Sequence, residues 1–129
     1  SSAIPIKTVY KIDPPFEKLS IEQISTGSLL IHEAVTNFIK YGITPAHDPE
    51  LRITLESAGE NNVRLTIKDN GPGREVVNED KKNGSLGIKL MKALASKLDG
   101  TVEIDTSPGK GFCLIFDFPV PESDVTPVN

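Results

Sequence analysis

The sequence predicts an α+β fold: a two-layer α/β sandwich in which a mixed, mostly antiparallel sheet carries helices on one face. Three observations lead there. Stretches that alternate apolar and polar residues come in adjacent pairs able to form hairpins. Two stretches with helical periodicity are interleaved with those pairs. The resulting order is strand, helix, two strands, loop, helix, two strands, which offers hairpins where a doubly wound fold would use single crossovers. A chain of 129 residues, 37% hydrophobic and 25% charged, suits one domain with a modest core. No internal repeat and no interdomain linker interrupts it.

PIKTVYKI, Pro5 to Ile12, alternates moderately, is rich in β-branched residues and is closed by Pro14 and Pro15, so it reads as an opening edge strand. From Ser20 onward, Ile21, Ile24, Leu30, Ile31, Ala34, Val35, Phe38 and Ile39 recur at helical spacing until Gly42 and Pro45. Ser20 suits the N-cap, and Gln23 completes a capping box. LRITLES and NVRLTIKD both alternate and flank Ala58, Gly59, Glu60, Asn61 and Asn62, which makes a hairpin with a loop of moderate length. NGPGREVVNEDKKNGSLG is polar and glycine-punctuated, with only Val76 and Val77 apolar in its middle, and reads as a mobile loop. A second helix fits Leu86 to Leu98, with Leu90, Met91, Leu94, Ala95 and Leu98 on one face and Gly100 as its stop. GTVEIDTS and GFCLIFDFP close the fold, the latter setting Phe112, Leu114, Phe116 and Phe118 on one face. The tail after Pro119 is expected to fray. The single domain thus spans residues 1–129, with 1–4 and 120–129 as loose termini.

Charge and composition exclude several function classes. The formal charge is −4 and the pI about 5.2, with five Phe, two Tyr and no Trp. Scattered basic residues and few aromatics do not build a stacking platform or a phosphate-tracking groove, so no nucleic acid is expected. Cys113 is the only cysteine, so neither a disulfide nor a cysteine-based zinc site can form within the chain. No apolar run suggests a signal peptide or membrane span, which implies a cytoplasmic domain without direct membrane contact.

Three segments carry candidate chemistry. In TIKDNGPG, Thr66 to Gly73, Asp69 sits where a strand runs out into a loop, so its carboxylate can face a cavity while Leu65 and Ile67 pack below. Gly71 and Gly73 allow backbone to approach a ligand closely. A carboxylate in such a pocket accepts a hydrogen bond from an exocyclic amine; equally, Asp-Asn-Gly-Pro-Gly is an ordinary strand-ending turn composition. NGSLG, Asn83 to Gly87, lies just ahead of the second helix, where free N–H groups and the helix dipole make a phosphate site or simply a cap. In HEAVTNFIKYG, Glu33, Asn37 and Lys40 or Tyr41 fall at i, i+4 and i+7 or i+8, on a stripe that lines a pocket or a solvated helix face. An Asn oxygen suits Mg²⁺, a hard cation that keeps waters and phosphate oxygens as its other ligands.

Order, spacing and placement together resemble the GHKL ATPase superfamily, and within it the catalytic and ATP-binding domain of sensor histidine kinases. The resemblance runs from about Ile21 to Pro119. HEAVTNFIKYG is similar to the family's N box, DNGPG to its first glycine box, NGSLGIKLMKALASKLDG to its second and IDTSPGKGFCLIFDFP to its closing strands. The chain departs from the pattern in a short lid, residues 74–83, without a phenylalanine box. It also has Phe112 where a Thr is common, and too little sequence before the N box for a dimerisation helix pair.

The resemblance implies the GHKL fold and an ATP-dependent protein histidine kinase domain with ATP and Mg²⁺ as cofactors. Asn37 would hold the Mg²⁺, Glu33 would polarise the attacking nucleophile or orient water, Lys40 would neutralise phosphate charge and Tyr41 would pack near the adenine. Asp69 would accept from the adenine amine, Gly71 and Gly73 would shape the nucleotide wall, and Gly84, Ser85, Leu86, Gly87 and Ile88 would cradle the phosphates. Implied partners are the dimerisation and phosphoacceptor helices of a parent kinase and, indirectly, a response regulator. The parent would be a two-component signalling protein, possessing a membrane-bound or soluble sensor. Neither His32, inside the N-box segment, nor His47 sits on a helical pair able to present a ring to the γ-phosphate, so the acceptor is expected outside this chain. An anti-sigma-factor-type serine/threonine kinase and a catalytically inactive interaction module remain as alternatives on the same fold.

Overall fold

The computed structural model describes residues 6–13, 19–45, 48–72, 84–105 and 111–120, and of residues 84–88 only the backbone path. Among the described residues, five strands form one sheet: β1 (Lys7–Ile12), β2 (Glu50–Ser57), β3 (Asn62–Asp69), β4 (Thr101–Asp105) and β5 (Cys113–Pro119), in the order β1-β2-β3-β5-β4. β1 is an edge strand, parallel to β2, and the other three pairings are antiparallel. The predicted mixed, mostly antiparallel sheet is therefore the observed one. Among the described residues, two helices, α1 (Ile21–Asn37) and α2 (Gly84–Lys97), accompany it, and a π-helical turn (Phe38–Gly42) continues α1.

Alternation explains the core. Val63, Leu65 and Ile67 of β3 face Leu114, Phe116 and Phe118 of β5 across the ladder, and all six are buried. Phe116 and Phe118 stack with centroids 4.7 Å apart. On the opposite face, Arg64 and Asp117 stand directly across the ladder, with Nε to Oδ1 at 2.7 Å and Nη2 to Oδ2 at 3.0 Å. The two parallel bonds fix strand register as well as charge.

α1 starts at the expected capping box. Ser20 Oγ accepts from the Gln23 N–H and Gln23 Oε1 accepts from the Ser20 N–H. Gln23 is also buried, because its amide donates to the Pro119 carbonyl at 2.8 Å and so ties the helix start to the end of β5. The buried stripe of α1 is Gln23, Thr26, Leu30 and Ala34, continued by Phe38. Ile21, Ile24 and Ile39, which share the helical spacing, are exposed: they lie off that i, i+3, i+4 row, and periodicity alone does not locate the row that a sheet covers. The same holds in α2, where Met91 and Ala95 are buried, Leu94 and Leu98 are half-buried and Leu90 is exposed.

α2 begins at Gly84, two residues before the expected start, and ends in a Schellman arrangement. The Gly100 N–H donates to the Ala95 carbonyl and the Asp99 N–H to that of Ser96. The left-handed residue is Asp99, with φ 57°, not the glycine expected to stop the helix. Gly100 is needed for space, since a β-carbon there would fall 2.6 Å from the Asp117 carbonyl oxygen. At the C-terminal end, Val120 departs from the expected loose tail: it is buried and its N–H donates to the Asn61 carbonyl. Residues 1–4 and 121–129, and the segment 74–83 expected to form a lid, lie outside the described residues.

Candidate functional site

The period-2 alternation that buries Val63, Leu65 and Ile67 also turns Asp69, the last residue of β3, into the interior, where it is 5% exposed. A carboxylate there needs partners. Both arrive on Oδ1: the Gly71 N–H at 2.8 Å and the Phe112 N–H at 3.2 Å. The Asp69 N–H in turn donates to the Phe112 carbonyl. Phe112, which lacks the hydroxyl common at its position, thus serves the site through its backbone. Among the described residues, Oδ2 takes neither of these bonds. Burial pushes the Asp69 carboxyl above the usual carboxylate range, and the two N–H donors pull it partly back.

Glycines make this arrangement possible. A β-carbon on Gly71 would fall 2.7 Å from both the Cα and the carbonyl oxygen of Gly42, and 3.1 Å from Asp69 Oδ1. A β-carbon on Gly111 would overlap the Asp69 carbonyl, and Gly111 adopts φ 75°. Three segments distant in sequence therefore meet backbone to backbone just past the end of β3, Gly42 against Gly71 and Gly111 against the Asp69 carbonyl. Asn70 adds a side-chain tie: its Oδ1 accepts from the Glu50 N–H and its Nδ2 donates to the Asp48 carbonyl, each at 2.8 Å. Its own N–H donates to the Glu50 carbonyl at 3.2 Å.

Glu33 and Asn37 lie one turn apart on α1, both half-buried, and Asn37 is its last residue. The predicted stripe stops there. A π-helical turn holds more residues than an α-helical one, so Lys40 and Tyr41 do not continue the α-helical row; both are exposed. Gly42 closes the turn, and a β-carbon on it would overlap the Phe38 ring. Gly84, Ser85, Leu86, Gly87 and Ile88, expected as a cradle leading into the helix, are its first residues. The first of their N–H groups belong to the opening turn, which is short of intrahelical acceptors. Gly73 and His47 lie outside the described residues, and His32 is exposed on α1.

Of the predicted site residues, the structure joins Asp69 and Gly71 directly. Sequence reasoning missed Gly111, the contact role of Gly42, the Phe112 N–H and Asn70. The glycines were visible as glycines, but their purpose lies in contacts between segments. Asn70 looked like one more turn former.

Residues 26–122 match the family described as Histidine kinase-, DNA gyrase B-, and HSP90-like ATPase. The chain is 34% identical over 92 residues to the signal transduction histidine-protein kinase/phosphatase DegS of Bacillus subtilis, covering 70% of this chain and 23% of that protein. It spans well under half the length of the curated relatives it matches. Its fold is that of the histidine kinase domain from the Erythrobacter litoralis EL346 blue-light activated histidine kinase, with TM-score 0.74 at 20% identity over 89% of this chain and 52% of that one. It likewise matches full-length ShkA, solved in complex with AMPPNP, with TM-score 0.69 at 16% identity over 93% of this chain and 27% of that one.

Proposed function

Because this chain belongs to the histidine kinase-, DNA gyrase B- and HSP90-like ATPase family, we propose that it is the ATP-binding catalytic domain of a sensor histidine kinase. In that reading it binds Mg-ATP and passes the γ-phosphoryl group to a histidine outside residues 1–129. The observation that carries the reading is the Asp69 carboxylate, buried, oriented through Oδ1 by two backbone N–H groups and left with Oδ2 as an acceptor. Such an acceptor matches the exocyclic amine of adenine and opposes the carbonyl that guanine carries in its place.

The remaining residues fit the phosphate end. Phosphoryl transfer asks the protein for positioning and charge stabilisation more than for covalent help. Lys40, exposed beyond the end of α1, supplies a mobile cation, and Tyr41 beside it offers an aromatic face to the base. The first turn of α2 offers N–H groups to phosphate oxygens. Among the described residues no three His, Cys, Asp or Glu side chains gather to hold a metal. Mg²⁺ would arrive on the nucleotide phosphates with waters of its own, and Asn37 would add one hard oxygen to it. Held there by Asn37, Mg²⁺ would supply neutralisation of phosphate charge. Glu33, one turn before Asn37, would orient the attacking group.

No helix among the described residues is long and apolar enough to cross a membrane. A cytoplasmic site of action, the acceptor helices of a parent kinase and a response regulator downstream belong to the same proposal.

Calorimetric titration of a non-hydrolysable ATP analogue, with and without Mg²⁺, tests the reading. The wild-type chain is expected to bind more tightly with Mg²⁺, and Asn37→Ala to lose that difference while staying folded. A folded wild-type chain that takes up no nucleotide would overturn it in favour of an interaction module.

A further inference from the structure

Asp69 and Asn37 reach the site on different parts of the fold, the first at the end of β3 and the second at the end of α1. A nucleotide that engages both requires a set distance between them. The chain leaving Asn37 passes through the π-helical turn and a connecting segment before it enters β2 at Glu50. Two fastenings join that segment to the residues that follow Asp69. Gly71 packs backbone to backbone on Gly42, and Asn70 straddles Pro49, bonding the Asp48 carbonyl on one side and the Glu50 N–H on the other.

Resting on the function proposed above, we infer that Asn70 is a positioning residue, which sets the span between the base-reading Asp69 and the phosphate-end residues of α1. The chemistry of the tie is specific. One acceptor and one donor, on a short side chain, must face a backbone N–H and a backbone carbonyl two residues apart. Asn meets both demands. Asp keeps the acceptor but sets a second oxygen against the Asp48 carbonyl, and Ala removes both bonds. Pro49 has no N–H of its own to offer, so no ladder bond from that residue replaces the tie. Asn70 reaches neither base nor phosphate in this account; it acts through the distance between Asp69 and the residues at the end of α1.

The test compares ligands of different reach. Binding of adenosine, which engages the base end alone, and of the Mg²⁺ complex of a non-hydrolysable ATP analogue, which engages both ends, would be measured by NMR titration. Wild-type chain, Asn70→Asp and Asn70→Ala would be compared, with circular dichroism confirming the fold. Loss of two neutral hydrogen bonds is expected to weaken the ATP analogue by about tenfold or more in Asn70→Ala. Asn70→Asp should fall between that variant and wild type, and adenosine affinity should stay within about twofold in both. Equal losses for adenosine and the ATP analogue would overturn the inference, since Asn70 would then support Asp69 or the fold alone; unchanged affinity for both would overturn it as well. In either case the proposed function stands. A wild-type chain that binds neither ligand would overturn that function and this inference together.

Discussion

Gly71 lies against Gly42 so closely that a β-carbon on Gly71 would fall 2.7 Å from both the Cα and the carbonyl oxygen of its neighbour. Both atoms are backbone, and neither can rotate aside. Gly71→Ala is expected to cost about 1–3 kcal/mol, the range for overpacking, and to move the N–H that holds Asp69 Oδ1. Denaturant midpoints of variant and wild type measure the cost; equal midpoints would mean that the two segments part freely.

Asp69→Asn separates stability from recognition. Burial raises the carboxyl's pKa in the fold, so the neutral form is the one the fold favours. Stability from that preference is fully present below the unfolded value and is lost as pH rises through the folded one, so at neutral pH the charge is a cost. The variant's melting temperature at pH 7 should therefore match or exceed that of wild type. Its carbonyl oxygen must take the two N–H bonds, which turns an NH₂ toward the ligand amine, and adenine nucleotide affinity should fall by at least about tenfold. Calorimetry on both proteins reads both quantities.

The same carboxyl predicts how binding varies with acidity. Adenine nucleotide affinity of wild type should decline as pH falls through the folded value, with a midpoint above the ~3.9 of an unperturbed aspartate. Titrations over a pH series check it, and Asp69→Asn should lack that inflection. A wild-type profile that matches the variant's would remove Asp69 from base recognition.

Gly111 and Gly59 form a natural comparison. Both hold positive φ, 75° and 102°, but a β-carbon on Gly59 meets nothing within 4 Å, whereas one on Gly111 overlaps the Asp69 carbonyl. Gly59→Ala is expected to cost about 1–2 kcal/mol for its backbone conformation alone. Gly111→Ala should cost clearly more in the same denaturation experiment, and the excess reports the contact with Asp69.

Asp99 occupies the left-handed position that closes α2. Asp99→Gly removes the β-carbon penalty and is expected to raise stability by up to about 1 kcal/mol, as measured by thermal melting, without altering nucleotide affinity.

How much of this was legible depended on range. The Ser20 and Gln23 capping box is written within four residues, and the structure has it. The alternation of NVRLTIKD placed Asp69 on the inward face for the same local reason. By contrast, exposure of Ile21 and Leu90 depends on what the sheet leaves uncovered, which no window along the chain contains. The π-helical turn that ends the Glu33 and Asn37 row, and the approach of Gly42 to Gly71 and of Gly111 to Asp69, arise from packing between segments far apart in sequence. Asp99 was hidden by a neighbour: Gly100 is the residue expected at a left-handed stop, yet here it serves close packing.

The parallel pairing of β1 with β2 has a consequence for the order of assembly. β2 and β3 are joined by a short turn, so their ladder closes at little entropic cost, but β1 meets β2 only after all of α1 has been threaded between them. Among the described residues, β1 has a ladder on one side only, and it contains no fully buried residue. It therefore docks late and leaves first, and its amides should exchange with solvent through an opening that spares β3 and β5, where Asp69 and Phe112 hold each other. The edge can breathe while the carboxylate stays in place.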